Sequence, residues 1–145
     1  TMMSNFLAGV PSHTQSIVAE FIDEGHFASH VRRMRQLYRE RHDALLAAAG
    51  QRLGGLLQVL PAHSGLHTVA LLPAAVSDMA VSHEADLQQV TASPLGRYAL
   101  APVSTNGLVL GFGGVSPQLI AAGVEVLAQV LERRLAPAVG RKGKA

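Results

Sequence analysis

The stretch NGLVLGFGGVSPQLIAAGVEVLAQVL, residues 106–131, changes its apolar period in the middle. Leu108–Phe112 is a run of apolar residues after Asn106-Gly107, which reads as a strand. Ser116-Pro117 is a helix opening, a cap followed by proline at the first helical position. Beyond it, Ile120, Val124, Leu127 and Leu131 recur at helical spacing and predict a buried stripe.

Working outward, the first helix is expected to open at Pro11-Ser12, with Ser12 as cap, and to run to about Glu24. Gly25 breaks it. A longer helix is expected from Phe27 to Arg52, with Phe27, Val31, Met34, Tyr38, Leu45 and Ala48 near a period of about 3.6. Gly54-Gly55 stop it. Two strands, Leu56–Leu60 and Leu66–Leu72, are joined by Pro61–Gly65, whose Pro, Ser and Gly suit an antiparallel connection. A helix with a weak apolar stripe follows over Ser77–Gln89, capped by Ser77, and then an extended piece over Val90–Pro94. The order ααββαβ(β)α predicts an α+β fold, a two-layer sandwich with a small, mostly antiparallel sheet covered on one face by helices. One domain is expected over residues 1–136, with a flexible basic tail over 137–145 after a helix-ending proline.

Composition narrows the function. The chain has 145 residues, 15% charged and 48% apolar, which argues against disorder. No apolar run reaches the ~18 residues of a membrane span, and no signal peptide is read at the start. The absence of cysteine excludes disulfide scaffolds and thiol catalysis and suits a cytoplasmic protein. A formal charge of +2 is too mild to imply nucleic acid by itself.

Few residues suggest chemistry. Arg32, Arg33, Arg35, Arg39 and Arg41 do not form one stripe, so a solvated face with local pairs to Glu40 and Asp43 is favoured over a phosphate-binding helix. Arg41 is the exception. It borders the buried side, where a guanidinium needs a carboxylate or phosphate, and is the candidate anion partner. His26 and His30 read as a surface pair at a helix terminus, and no metal site is expected. Gly111, Gly113 and Gly114 read as a close strand–helix turn rather than an anion cradle. No nucleophile elbow, Walker loop or dinucleotide fingerprint is present, and no catalytic residue is assigned. Lysine is the most informative residue. Only Lys142 and Lys144 occur, both in the tail, so the body has none to hold pyridoxal phosphate as a Schiff base.

Several segments, in order, resemble the C-terminal part of the aminotransferase-like region of MocR-type regulators in the GntR family. They are residues 15–46, QSIVAEFIDEGHFASHVRRMRQLYRERHDALL; residues 61–73, PAHSGLHTVALLP; residues 93–100, SPLGRYAL; and residues 106–131. The resemblance covers about residues 11–135. It implies a fold-type-I aminotransferase small domain, non-catalytic alone, from a parent with a large pyridoxal-phosphate domain and a winged-helix DNA-binding head. It further implies a parent that binds the cofactor, while this chain binds none; separated from its large domain, the small domain is expected to expose apolar surface and to form a homo-oligomer. His67, Arg97 and Tyr98 would lie on a pocket rim, although a strand residue and a packed loop account for them equally well. Many aminotransferases clamp the substrate carboxylate with an arginine on the final strand, and the alignment puts Val109 there. Gly96 and Ala99 depart from the family's Ser and second Tyr. Two alternatives remain, a fragment of a true aminotransferase and a basic oligomerisation or nucleic-acid-binding module.

Overall fold

The structure, a computed structural model, describes residues 11–61, 65–100 and 105–136. The tail expected from Pro137 lies outside them, as do His63 and Ser64 in the turn before the second strand. The chain divides into two compact units, residues 1–37 and 38–145.

In the first unit, α1 spans Ser12–Asp23. Pro11, not Ser12, occupies its N-cap position, and no side chain caps it. Ser12 is already helical, and its carbonyl accepts from Ser16 Oγ at 3.1 Å. Gly25 turns the chain at φ +78°, a conformation open to glycine at little cost. α2 then spans His26–Arg52 and continues into the second unit.

The second unit holds the core. β1 (Gln58–Val59), β2 (His67–Leu71), β3 (Ser93–Pro94) and β4 (Gly107–Gly111) form one sheet in the order β1-β2-β4-β3, with every pair antiparallel. α3 spans Asp78–Asp86 and α4 spans Pro117–Leu135. Alternation along β2 and β4 turns Thr68, Ala70, Leu108 and Leu110 inward and buries them; the last three share the core cluster with Leu45 of α2, Leu53 just beyond it, Val81 and Leu131. The α+β sandwich expected from the element order is therefore present. The four residues expected on the α4 stripe are all buried. Along α2, by contrast, only Leu45 and Ala49 are buried, and Phe27 stays half-exposed.

Two polar groups hold the sheet ends. Thr68 is buried, and its hydroxyl donates to the Leu60 carbonyl at 2.6 Å. The Asn106 amide donates to the Pro73 and Val76 carbonyls and accepts from the Asp78 N–H, fastening the loop before α3 to the start of β4. Gly107 follows where β4 passes closest to β2. A Cβ there would lie 2.6 Å from the Ala70 carbonyl oxygen, so only glycine fits.

Element ends differ from expectation for local reasons. β1 is two residues long because Leu56 and Leu57 still bond back to Leu53 at the end of α2. α3 stops at Asp86, not Gln89, in a double closure: Val90 N–H bonds the Ala85 carbonyl and Gln89 N–H the Asp86 carbonyl, both at 3.0 Å. This is a Schellman motif, and it places Gln89 at φ +62°, where glycine is usual. Val90–Thr91 leave that turn and only Ser93–Pro94 pair with β4.

Ion pairs tie the helices at their surfaces. Arg52 of α2 grips Glu125 of α4 with two nitrogens, one of them at 2.9 Å, and reaches Glu132 at 3.5 Å. Arg133 and Arg134, in the last turn of α4, both bond Glu84 of α3. Burial pushes the Glu84 carboxyl up, but the Arg134 hydrogen bond and charge, with those of Arg133, outweigh it and hold the group below its usual range. The Arg52 hydrogen bond, aided by Gln129 and the Arg52 charge, holds Glu125 down to about 2.

Two expectations follow. Gln89→Gly relieves a left-handed side-chain conformation and should stabilise the fold by about 0.5–1 kcal/mol, read as a higher urea midpoint at unchanged slope. Because the folded Glu125 pKa is depressed, its contribution is complete above the unfolded carboxylate range and is lost as pH falls from about 4.5 towards about 2. Glu125→Gln should therefore flatten the stability–pH curve within that window and leave its shape near neutrality unchanged, as followed by urea midpoints at each pH.

Candidate functional site

The sheet face turned away from the buried core is the most distinctive surface of the second unit. Val69, Val109 and Ser93 form one cross-strand row, all of them partly exposed. His67 and Gly111 form the next row, with the imidazole lying over the glycine, where a Cβ would come within 3.2 Å of the ring. His67 is exposed. Arg97 and Tyr98 sit in a 3₁₀ turn, Leu95–Tyr98, that leaves the sheet beyond Pro94. Pro94 pairs with Leu108 near the start of β4, whereas His67 pairs with Gly111 at its end. The strand positions next to His67 and to the start of the 3₁₀ turn are therefore roughly 10 Å of β4 apart, with Arg97 and Tyr98 beyond the Pro94 end. The three rim candidates form no common cluster. Tyr98 is 62% exposed, which fits a loop side chain better than a packed one.

At the Gly111 end, the glycine-rich turn leads into α4. Phe112 N–H donates to the Leu66 carbonyl at 3.0 Å, and Val115 N–H donates back to the Phe112 carbonyl. A Cβ on Gly113 would lie 3.0 Å from the Leu66 side chain, so this glycine serves close packing. Ser116 caps α4, its hydroxyl accepting from the Leu119 N–H at 3.4 Å, as the Ser-Pro pair predicts.

Arg41 meets this turn from α2. Its Nη1 donates to the Gly113 carbonyl, and its Nε is buried without an acceptor. No carboxylate pairs with it among the described residues, so the carboxylate or phosphate partner expected of it is replaced by a backbone carbonyl. The reason is direction: the guanidinium turns inward to the Gly113 carbonyl instead of lying along its own helix. The neighbouring His42 packs its ring 5.1 Å from that of Phe112, and its Nε2 is likewise buried without an acceptor. Arg41 and His42 thus clamp adjacent residues of one turn, a link across 72 positions that spacing along the chain does not signal. Arg32, Arg33, Arg35 and Arg39 are exposed, and in the first unit His26 pairs with Glu24 at 3.1 Å.

Chemically this surface is quiet. Val69, Val109, Gly111 and Ser93 present neither an acid nor a cation, and His67 faces a glycine. A half-exposed, mostly apolar face with a rigid turn at one end suits contact with another surface.

Known proteins place this fold. No family model matches the chain. It is 34% identical over 113 residues to the probable rhizopine catabolism regulatory protein MocR of Rhizobium meliloti, a match covering 78% of this chain and 23% of that protein. It is 34% identical over 119 residues to the HTH-type transcriptional regulator YhdI of Bacillus subtilis, covering 81% of this chain and 25% of YhdI. The chain thus spans about a quarter of the length of the curated relatives it matches. Among solved structures, LysN, the α-aminoadipate aminotransferase of Thermus thermophilus, superposes with a TM-score of 0.76 at 27% identity, over 84% of this chain and 31% of LysN. An archaeal alanine:glyoxylate aminotransferase shares the fold with a TM-score of 0.79 at 20% identity, over 91% of this chain and 33% of that enzyme.

Truncating the clamp should loosen the turn. Arg41→Ala removes a hydrogen bond from a charged donor and is expected to destabilise by roughly 1–3 kcal/mol. Arg41→Lys should not restore it, because an ammonium lacks the planar fork. Chemical denaturation of the three proteins, with amide exchange at Gly113 and Val115, checks both.

Proposed function

We propose that this chain, a homologue of part of the MocR-type HTH regulators with the fold of an aminotransferase segment, is the C-terminal small domain of such a regulator's effector region. The observation that carries the reading is the pairing of two likenesses: the sequence relatives are transcriptional regulators and the structural neighbours are aminotransferases. In the parent, this domain would close against a large domain over a bound ligand. Closure would favour one arrangement of the parent over another by differential affinity, and so bias DNA binding by a winged-helix head. The parent would act in the cytoplasm, and the separated small domain would self-associate through its exposed apolar surface.

The body of this chain does not fit pyridoxal phosphate by itself. An aldehyde cofactor is anchored by a lysine, and residues 11–136 contain none. The cofactor, the lysine that holds it and the groups that bind its phosphate would come from the rest of the parent. Arg41 is the body cation expected to partner an anion, and its commitment to the Gly113 carbonyl favours a structural role. His67 is the rim candidate that this reading retains, since it stands on the bare sheet face. A fragment of a true aminotransferase is the second reading, favoured by the 27% identity to LysN. Val109 weighs against it, because an aliphatic side chain on that face offers nothing to a substrate carboxylate.

Exposed apolar surface supports a missing neighbour. α1 has no buried residue, and Ile17, Val18, Phe21 and Ile22 on it are each at least 42% exposed. A helix of 12 residues is marginal alone in water and draws its stability from a buried face.

A chain ending at Ala136 should show no saturable binding of pyridoxal phosphate in equilibrium dialysis. In the parent, the cofactor should alter affinity for operator DNA without amino transfer to a keto acid. Saturable binding by the shortened chain would overturn the assignment of the cofactor to the missing part, and turnover by the parent would favour the aminotransferase reading.

A further inference from the structure

We infer that the cavity beside α4 in the second unit binds a neutral, largely apolar small molecule carrying one hydrogen-bonding group. This inference does not rest on the regulator reading. The cavity has a volume of about 490 Å³, inside the ~300–1,000 Å³ range of small-molecule sites. Its walls come from five stretches: Leu45 of α2, the end of β4, Val115 in the turn that follows, the turn after α3, and α4 from Leu119 to Leu127.

The walls are formed before any ligand arrives. Leu45, Leu110, Ile120, Val124 and Leu127 line the cavity and are also buried members of the core. The opposite lip, residues 88–91, is held by the Schellman closure of Val90 on Ala85. Gly123 lies on the wall facing Val90: a Cβ there would already be in ordinary contact with a Val90 methyl at 3.8 Å, so a longer side chain at 123 would crowd the cavity.

Polarity defines the ligand class. No charged residue lines the cavity, and its polar side chains, Gln88, Gln89 and Thr91, stand together on one lip. A charged ligand would lose hydration there without a counter-charge. A molecule with an apolar body and one neutral donor or acceptor matches both the walls and the lip. A second copy of the chain is the competing occupant, since Leu119 at the rim is 64% exposed.

N-phenyl-1-naphthylamine, a neutral aromatic amine that brightens in apolar surroundings, is the probe. The full chain should give a saturable, one-to-one rise in emission. Gly123→Leu should weaken binding by roughly tenfold or more, with the helix retained on circular dichroism because leucine is a better helix former than glycine. Leu119→Asp, at the exposed rim, should also weaken it, and Met79→Ser, away from the cavity, should not. Emission that fails to saturate, or that neither Gly123→Leu nor Leu119→Asp reduces, would overturn the inference. So would a wild-type dimer on light scattering that Leu119→Asp makes monomeric while the probe stays unbound, since the cavity would then be an interface between copies.

Discussion

The antiparallel pairing of β2 with β4 is the constraint on which the second unit depends. Its five register pairs run from His67↔Gly111 to Leu71↔Gly107. Because side chains alternate with a period of two, this register alone sends Thr68, Ala70, Leu108 and Leu110 to the helices and Val69 and Val109 to the bare face. A slip of one residue would exchange the two sets. Gly107 prevents it at one end, where its approach to Ala70 leaves no space for a Cβ. Asn106 bonds the loop that leaves β2, so the same end is fixed twice. β1 and β3 are two-residue extensions of this central pair, and short edge strands of that kind present little unpaired backbone to other chains.

How much of this was legible follows from how local each signal is. The strand, glycine turn and capped helix over residues 106–131 could be read because Asn-Gly, Ser-Pro and the apolar stripe each act within a few residues. The observed β4 and α4 match that reading to within one residue or a few. The end of α3 was not legible, because Gln89 adopts a conformation that its residue type disfavours and that only the two closing hydrogen bonds impose. The length of β1 was obscured because Leu56 and Leu57 are apolar enough for a strand, yet their backbones finish the preceding helix. The Arg41 clamp depends on a contact across 72 positions and leaves no local pattern, although the amphipathic position of Arg41 did mark it as unusual. The cavity beside α4 is hidden for the same reason: its walls meet only in the folded unit.

Charge distribution separates the polar groups of the second unit into two populations. Arg52, Arg133 and Arg134 pair with Glu125, Glu132 and Glu84 across helix surfaces, where exposed pairs are individually weak and serve mainly to orient α2, α3 and α4. Arg41 and His42 are drawn inward, each with one buried nitrogen that has no partner, and His42 approaches a carboxylate only at the 4.0 Å contact of its Nδ1 with Asp43. A buried nitrogen without an acceptor is costly, so its retention at this turn needs a compensating gain. The Arg41–Gly113 bond and the His42–Phe112 ring contact supply one by fixing the carbonyl and the ring that join β4 to α4. That junction carries the mechanical relation between the sheet and its longest covering helix. The joint is held by a hydrogen bond to a carbonyl and by a ring contact rather than by a charge pair. The neutral bare face and the inward arginine are in this sense two expressions of one design, in which polar side chains are spent on holding shape.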